Sequence, residues 1–357
     1  MRNITDPQQI RSVAVFRALC LGDLLCCVPA LRALKAWLPR AQITFIGLPW
    51  SRAFAGRFSR YLDGFIEFPG FPGLPESVAD VRLLPAFLRG VQEKHFDLAL
   101  QMHGNGRVTN PLAELFGACV TAGFFAEGAY FPPDGWPVPY PDHLHEILRC
   151  LTLVGSIGAQ ALDPALEFPL TPADEEEFRE LPGSRPLDNG SYIVVHPGSR
   201  SRARRWSPEG FAVSCDALSG GKLTVAITGS AQEWDLAERI RVKMKSRGVN
   251  LAGKTTLGSL AVLLRGSRLL IANDTGISHL ACALKVPSVI VFTASDPRRW
   301  APLDTVLHKT VFHESPCRPC EFPVCPIGHP CSRNIDPEQV IRAGKELLAG
   351  SLLAPAA

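Results

Sequence analysis

The chain has 357 residues, 46% hydrophobic and 20% charged, with 37 Lys+Arg against 34 Asp+Glu and a formal charge of +3. That balance excludes a strongly basic nucleic-acid binder, and the apolar content excludes disorder on a large scale. At roughly 150 residues per domain, the length fits two packed cores.

The amino end, MRNITDPQQIRS, lacks the apolar core of a secretion signal, and no run of about 18 uncharged apolar residues occurs, so a cytoplasmic protein without membrane spans is expected. Ser12–Arg17 (SVAVFR) favours a strand; it meets the break Cys20-Leu21-Gly22-Asp23, and a helical pattern runs from Leu24 to Trp37. Gln42–Leu48 (QITFIGL) reads as the next strand. Strand, loop, helix and strand make a βαβ unit, hence a parallel sheet with right-handed crossovers. Phe96–Met102 reads as a buried strand ending at His103-Gly104-Asn105-Gly106, and His143–Val154 as a helix.

From Pro169 to Gly190 the composition shifts to Pro, Glu, Asp and Gly, with a short acidic helix inside, which marks the interdomain connection. A second α/β series follows: strand Tyr192–His196, helix Pro208–Leu218, strand Lys222–Thr228, helix Gln232–Arg247, strand Leu269–Ala272, helix Ile277–Leu284 and strand Ser288–Phe292. The expected fold class is α/β, two domains with parallel sheets facing across a cleft. The first spans residues 1–175 and the second 190–335; a C-terminal helix and an Ala/Leu/Pro-rich tail, 336–357, are expected to pack back toward the first.

The informative loops of the second series lie at the carboxyl ends of strands, where open α/β sheets bind ligands. In His196-Pro197-Gly198-Ser199-Arg200-Ser201-Arg202-Ala203-Arg204-Arg205-Trp206, Gly198 admits a close backbone approach, Ser199 offers a hydroxyl, and the arginines supply forked donors suited to a diphosphate. A solvated basic loop is the other reading of these residues. In Asn273-Asp274-Thr275-Gly276-Ile277-Ser278-His279, a strand gives way to a helix whose first amides can hold an anion. Plain N-capping, with His279 on a helix face, explains the same residues. Glu233, after Thr228-Gly229-Ser230, suits a ribose or a favourable first-turn charge. Asp23 follows Gly22 at the first strand-to-helix break; it reads either as a general base for a hydroxyl or as an N-cap.

Taken in order, these segments resemble the ADP-heptose:lipopolysaccharide heptosyltransferase family, glycosyltransferase family 9. The resemblance rests on Leu21-Gly22-Asp23-Leu24-Leu25 with Pro29-Ala30-Leu31, His196-Pro197-Gly198-Ser199 with Arg204-Arg205-Trp206, Gly253-Lys254-Thr255-Thr256-Leu257, and Asn273 through Ala281, a set spanning Arg11 to Pro302. It implies a GT-B fold of two Rossmann-like domains and a nucleotide-sugar donor, ADP-heptose foremost, in the C-terminal one. It further implies inversion at the anomeric carbon without a catalytic metal, a carbohydrate or lipid-linked acceptor on the N-terminal domain, no nucleic-acid partner, and peripheral contact with the inner membrane. By position, the resemblance makes Asp23 the base and sets Arg204 where the family usually shows lysine against the donor phosphates. Gly198 and Ser199 fall where the family carries phosphate-binding hydroxyls, with Arg200 and Arg205 beside them. Asp274, Thr275, Gly276 and His279 match the donor signature, and Glu233 the nucleoside-sugar neighbourhood. His103 and Asn105, with the Phe68–Pro75 loop, are expected to shape the acceptor site. Two other readings of the same residues are a nucleotide-sugar epimerase, which needs no acceptor, and a non-catalytic nucleotide-sugar-binding protein.

Eleven cysteines in a chain of this length suit buried or ligating thiols rather than a disulfide scaffold. Cys317, Cys320, Cys325 and Cys331, flanked by His313 and His329, lie in a segment (313–333) that resembles a cysteine cluster of a subset of the family. It reads as a structural zinc or iron site or as reduced thiols in a proline-rich loop.

Overall fold

The computed structural model describes residues 6–160, 163–184, 187–320, 322 and 324–350. They divide into two units, Met1–Ala165 and Leu166–Ala357. In the first, β1 (Ser12–Phe16), β2 (Gln42–Gly47), β3 (Gly64–Glu67), β4 (Leu98–Gln101), β5 (Val120–Phe125) and β6 (Trp136–Pro139) form one parallel sheet in the order β3-β2-β1-β4-β5-β6. β1 sits at its centre, Val13 pairing with Ile43 on one side and Leu98 on the other. Val13, Ala14, Val15 and Phe16 are all buried, the unbroken apolar run of a strand covered on both faces. Pro137 and Pro139 are tolerated in β6 because it is an edge strand.

The second unit repeats the path. β7 (Tyr192–His196), β8 (Thr224–Ile227), β9 (Gly248–Asn250), β10 (Leu270–Asn273), β11 (Ser288–Phe292) and β12 (His308–Phe312) form a parallel sheet ordered β12-β11-β10-β7-β8-β9. In each unit the chain runs outward from the centre, returns beside its first strand and runs out the other way. The reversal falls between β1 and β4, and again between β7 and β10. Loops leaving the carboxyl ends of those strands flank a crevice, the position at which open α/β sheets take ligands. No helix among the described residues is long and apolar enough to cross a membrane.

Two expectations about organisation are corrected. The acidic helix Pro172–Glu180, read as part of the connection, packs on helix Leu257–Arg265, with Arg265 2.5 Å from Glu175 and Thr256 bonded to Glu177. A capping box between Thr171 and Asp174 starts it, and the division between units falls at Ala165, not near 175. The C-terminal helix, Pro337–Gly350, was expected against the first domain; its apolar face, including Val340 and Leu347, is instead buried in the second unit's core against helix Pro208–Ser219. The tail from residue 351 lies outside the described residues.

Candidate active site

At the second unit's switch point, one buried side chain ties the two expected ligand loops together. Asn273, the last residue of β10, donates from Nδ2 to the Pro197 carbonyl (2.8 Å) and accepts at Oδ1 from the Trp206 amide (3.0 Å). The arginine-bearing turn after β7 and the Asp-Thr-Gly corner after β10 are thereby held side by side, as two adjacent parallel strands require. Helix Gly276–Ala283 begins at that corner with Thr275 as its N-cap residue. Thr275 Oγ1 makes no cap bond; it is buried without a hydrogen-bond partner among the described residues. A buried hydroxyl in that condition costs free energy until something bonds it.

The arginines differ in what they do. Arg205 is committed to the fold: Nε and Nη2 both donate to the Ser199 carbonyl (2.8 and 2.6 Å), and Nη2 lies 3.4 Å from Glu233 Oε1. Arg204, on the short 3₁₀ turn Arg202–Arg204, is half-buried, and among the described residues its guanidinium has neither an ion pair nor a hydrogen bond. Arg200 is exposed. His196 brings no positive charge at neutral pH, because burial pushes its pKa down to about 4; its Nδ1 lies 3.0 Å from Thr228 Oγ1.

Glu233 accepts at Oε2 from the Ser230 amide and hydroxyl (2.8 and 2.9 Å), a capping box that fixes its carboxylate beneath Gly198. A Cβ on Gly198 would lie 2.3 Å from that carboxylate, so only glycine lets the loop and the acid coexist. Asp274 and His279 are buried beside the corner, His279 edge-on to Trp300 with ring centroids 6.0 Å apart.

In the first unit, helix Leu21–Trp37 begins three residues earlier than its apolar pattern suggests, with Cys20 as N-cap residue. Asp23 therefore sits in the first turn, not at the cap, with 22% of its side chain exposed. The side chain of Arg17, 2% exposed at the end of β1, holds this turn. Its Nε donates to the Asp23 carbonyl (2.9 Å), Nη1 to the Met102 carbonyl (2.5 Å), and Nη2 to Glu146 Oε1 (2.9 Å), with Asp23 Oδ1 at 3.9 Å. Arg149 holds the other oxygen of Glu146 at 2.8 Å. His103 is a buried ring that stacks on Phe16, accepts at Nδ1 from the Ala18 amide (3.2 Å) and sets Nε2 3.6 Å from Glu76. Asn105 turns inward on its own loop, its Oδ1 accepting from the Arg107 amide (3.3 Å). The β1 and β4 loops thus bring Asp23 and His103 to one switch point, joined through Arg17 and Met102.

Residues 85–329 match the family model described as glycosyltransferase family 9 (heptosyltransferase). The chain belongs to that family. Among curated proteins, this family 9 member is 31% identical over 219 residues to lipooligosaccharide heptosyltransferase 2 of Campylobacter jejuni. The aligned stretch covers 58% of the chain and 66% of that relative, just under two thirds of its length. Its fold matches the solved structure of Escherichia coli ADP-heptose lps heptosyltransferase II with a TM-score of 0.75 at 19% identity, covering 96% of this chain and 100% of that one. It also matches TibC, a bacterial iron-containing dodecameric glycosyltransferase from enterotoxigenic E. coli, with a TM-score of 0.54 at 16% identity, covering 96% and 77% of the two chains. The expected α/β architecture of two Rossmann-like sheets is the one these proteins share.

The family 9 chain carries its cysteine segment against the end of β11. The Cys320 amide donates to the Ala294 carbonyl (2.9 Å), Arg318 Nε to the Thr293 carbonyl (3.0 Å), and the His329 amide to Cys325 Sγ (3.1 Å). Burial raises the pKa of the Cys331 thiol, and Cys317, Cys325 and Cys320 are near enough to raise it further. Among the described residues, however, no group of three or more His, Cys, Asp or Glu side chains is arranged to hold a metal ion. Arg17, Asn273 and Thr293 organise these loops, although none of the three is expected as a site residue from the sequence. A charge closing the otherwise apolar run of β1 was the one available signal for Arg17. Asn273 and Thr293 act on loops far away in sequence.

Proposed function

We propose that this protein transfers a heptose from ADP-heptose to a hydroxyl of a carbohydrate or lipid-linked acceptor, inverting the anomeric carbon. The observation that carries the reading is the pairing at the second unit's switch point: a half-buried Arg204 guanidinium and a Thr275 hydroxyl, both without a partner among the described residues, on loops tied together by Asn273. A diphosphate supplies what both lack. Family membership and the heptosyltransferase named among the relatives support the sugar; the ADP-heptose named for the E. coli structure supports the nucleotide. The C-terminal unit is assigned to the donor and the N-terminal unit to the acceptor.

In the reaction, the acceptor oxygen forms its bond to the anomeric carbon as the bond from that carbon to the diphosphate oxygen breaks, through a transition state of oxocarbenium character. The hydroxyl proton passes to the Asp23 carboxylate, and ADP departs with the electron pair. Negative charge grows on the diphosphate as it leaves, so Arg204, Thr275 Oγ1 and the amides at Gly276 and beyond bind the transition state more strongly than the bound donor. Arg205 and Glu233 act beneath this layer, the first by fixing Ser199 and the second by facing the nucleoside ribose. Arg17 keeps the turn bearing Asp23 in place. Asp274 and His279 shape the donor corner, and His103 and Asn105 the acceptor loops.

Two further assignments belong to the same reading. Cys317, Cys320, Cys325 and Cys331 are assigned a structural zinc or iron that takes no part in transfer; the iron of TibC supports this, and the metal would have to draw together sulfurs that are not so arranged in this structure. Elemental analysis of protein purified without added metal tests it, about one equivalent supporting the site and less than a tenth counting against it. The reaction is placed in the cytoplasm, where nucleotide sugars are available, with peripheral contact at the membrane that carries the acceptor. A thermal-shift panel of ADP-, GDP-, UDP- and dTDP-sugars tests the donor, since a ligand that binds the folded state raises Tm by mass action. ADP-heptose should give the largest shift; a larger shift with another nucleotide would remove the ADP assignment.

A further inference from the structure

The turn that carries Arg204 is only three residues long, and Ser201 before it makes no side-chain cap. So short a 3₁₀ turn has little internal hydrogen bonding, and its geometry is set by what holds its carbonyls. Two of those bonds come from the cysteine segment. His329 Nε2 donates to the Ala203 carbonyl at 2.6 Å, and Ser332 Oγ to the Arg205 carbonyl at 3.2 Å. The Ala203 carbonyl also accepts from Thr293 Oγ1, at the end of β11, at 2.8 Å. Both bonds from the cysteine segment bracket Arg204, one on the residue before it and one on the residue after.

His329 is built for this contact. Its backbone takes the left-handed conformation, φ 63°, which a non-glycine residue rarely adopts without a compensating interaction. Its amide is tied to Cys325 Sγ, and the next residues, Pro330–Arg333, form a short helix that places the Ser332 hydroxyl on the same turn. The segment is anchored in turn to the end of β11 by Cys320 and Arg318. A carbonyl acceptor requires the proton on Nε2, so the ring serves as a neutral or charged donor alike.

We propose that His329 and Ser332 are positioning residues for the transfer reaction: they clamp the Ala203 and Arg205 carbonyls and so hold the Arg204 guanidinium where the donor diphosphate sits. The inference rests on the donor-site reading above, and the experiment separates the two.

Donor and acceptor KM and kcat are measured for His329→Ala, His329→Gln, Ser332→Ala, Arg204→Ala and the double variant His329→Ala with Arg204→Ala. His329→Ala is expected to raise the donor KM about tenfold or more, the scale of a lost buried hydrogen bond, while leaving the acceptor KM unchanged. His329→Gln, which can still donate to the Ala203 carbonyl, is expected to recover most of that loss, and Ser332→Ala to show a smaller effect of the same kind. In the Arg204→Ala background His329→Ala should add little, because a clamp acting through Arg204 has nothing left to position. Equal loss in donor and acceptor KM, full additivity with Arg204→Ala, or no change on Ser332→Ala and His329→Ala would overturn the inference. Unchanged donor KM in Arg204→Ala itself would instead overturn the donor-site reading.

Discussion

Arg204 and Arg205 are adjacent in sequence and opposite in role. Arg205 lies on the Ser199 carbonyl and near Glu233, while the Arg204 guanidinium has no bonded partner among the described residues. Replacing Arg204 by alanine should lower kcat/KM roughly 10²–10³-fold, the usual effect of removing one preorganised donor to a charge that develops in the transition state. Arg204→Lys should retain much of the activity, since a single point charge still reaches a phosphate. Steady-state kinetics on the two variants checks both. Gly198 tests the same loop from the other side: Gly198→Ala places a Cβ 2.3 Å from the Glu233 carboxylate and should raise the donor KM at least about tenfold, read in the same assay. The placement of Gly198, Ser199, Thr275 and the arginines on strand-end loops was legible in the sequence, because the strands before them are apolar runs that stop at these residues. Which arginine is paired was not legible, because Arg205 finds its partners at Ser199 and Glu233 through the folded loop.

At the scale of elements, long apolar runs such as β1, β7 and β11 declare themselves, while β3 (GFIE) and β9 (GVN) are too short and too weakly patterned to stand out from turns. The expected helix Gln232–Arg247 resolves into a 3₁₀ turn, Ala231–Glu233, and a helix, Trp234–Lys243, because the capping box between Ser230 and Glu233 sets its own start. The C-terminal helix was legible as a helix but not in its docking. Gly344 allows its close approach to helix Pro208–Ser219, since a Cβ there would lie 2.6 Å from a Leu218 methyl carbon. Gly344→Val should destabilise the fold by about 1–3 kcal/mol, the cost of overpacking a closed contact, measured as a lower urea midpoint. β11 and β12 carry a second stability device, Ser288 Oγ bonded to His308 Nδ1 at 2.8 Å. Burial pushes the His308 pKa from 6.5 down to about 4. Between those values the unfolded chain binds the extra proton, so stability is complete above pH 6.5 and is lost as pH falls toward 4. His308→Asn should flatten part of that acid limb in urea titrations at successive pH values, His196 accounting for a further part.

For the molecule as a whole, the alternation of strands and helices was enough to read two parallel-sheet domains, but the strand order was not. A reversal between β1 and β4, repeated between β7 and β10, is a property of contacts across many tens of residues, and no local pattern records it. That reversal gives each unit a ligand position. The first unit offers a carboxylate, Asp23, on a turn held by Arg17; the second offers a guanidinium, a hydroxyl and a helix start. A general base is worth about 10²–10⁴ in rate and nothing in donor affinity, whereas an arginine on the diphosphate is felt in binding as well. We therefore assign donor binding to the second unit and proton transfer to the first. Calorimetric titration of ADP-heptose into the Asp23→Asn and Arg204→Ala proteins, with turnover followed on the same samples, tests it most directly. Asp23→Asn should keep wild-type donor affinity with turnover down at least about 100-fold, and Arg204→Ala should weaken donor affinity at least about tenfold. Wild-type turnover in the first variant, or wild-type donor affinity in the second, would contradict that assignment.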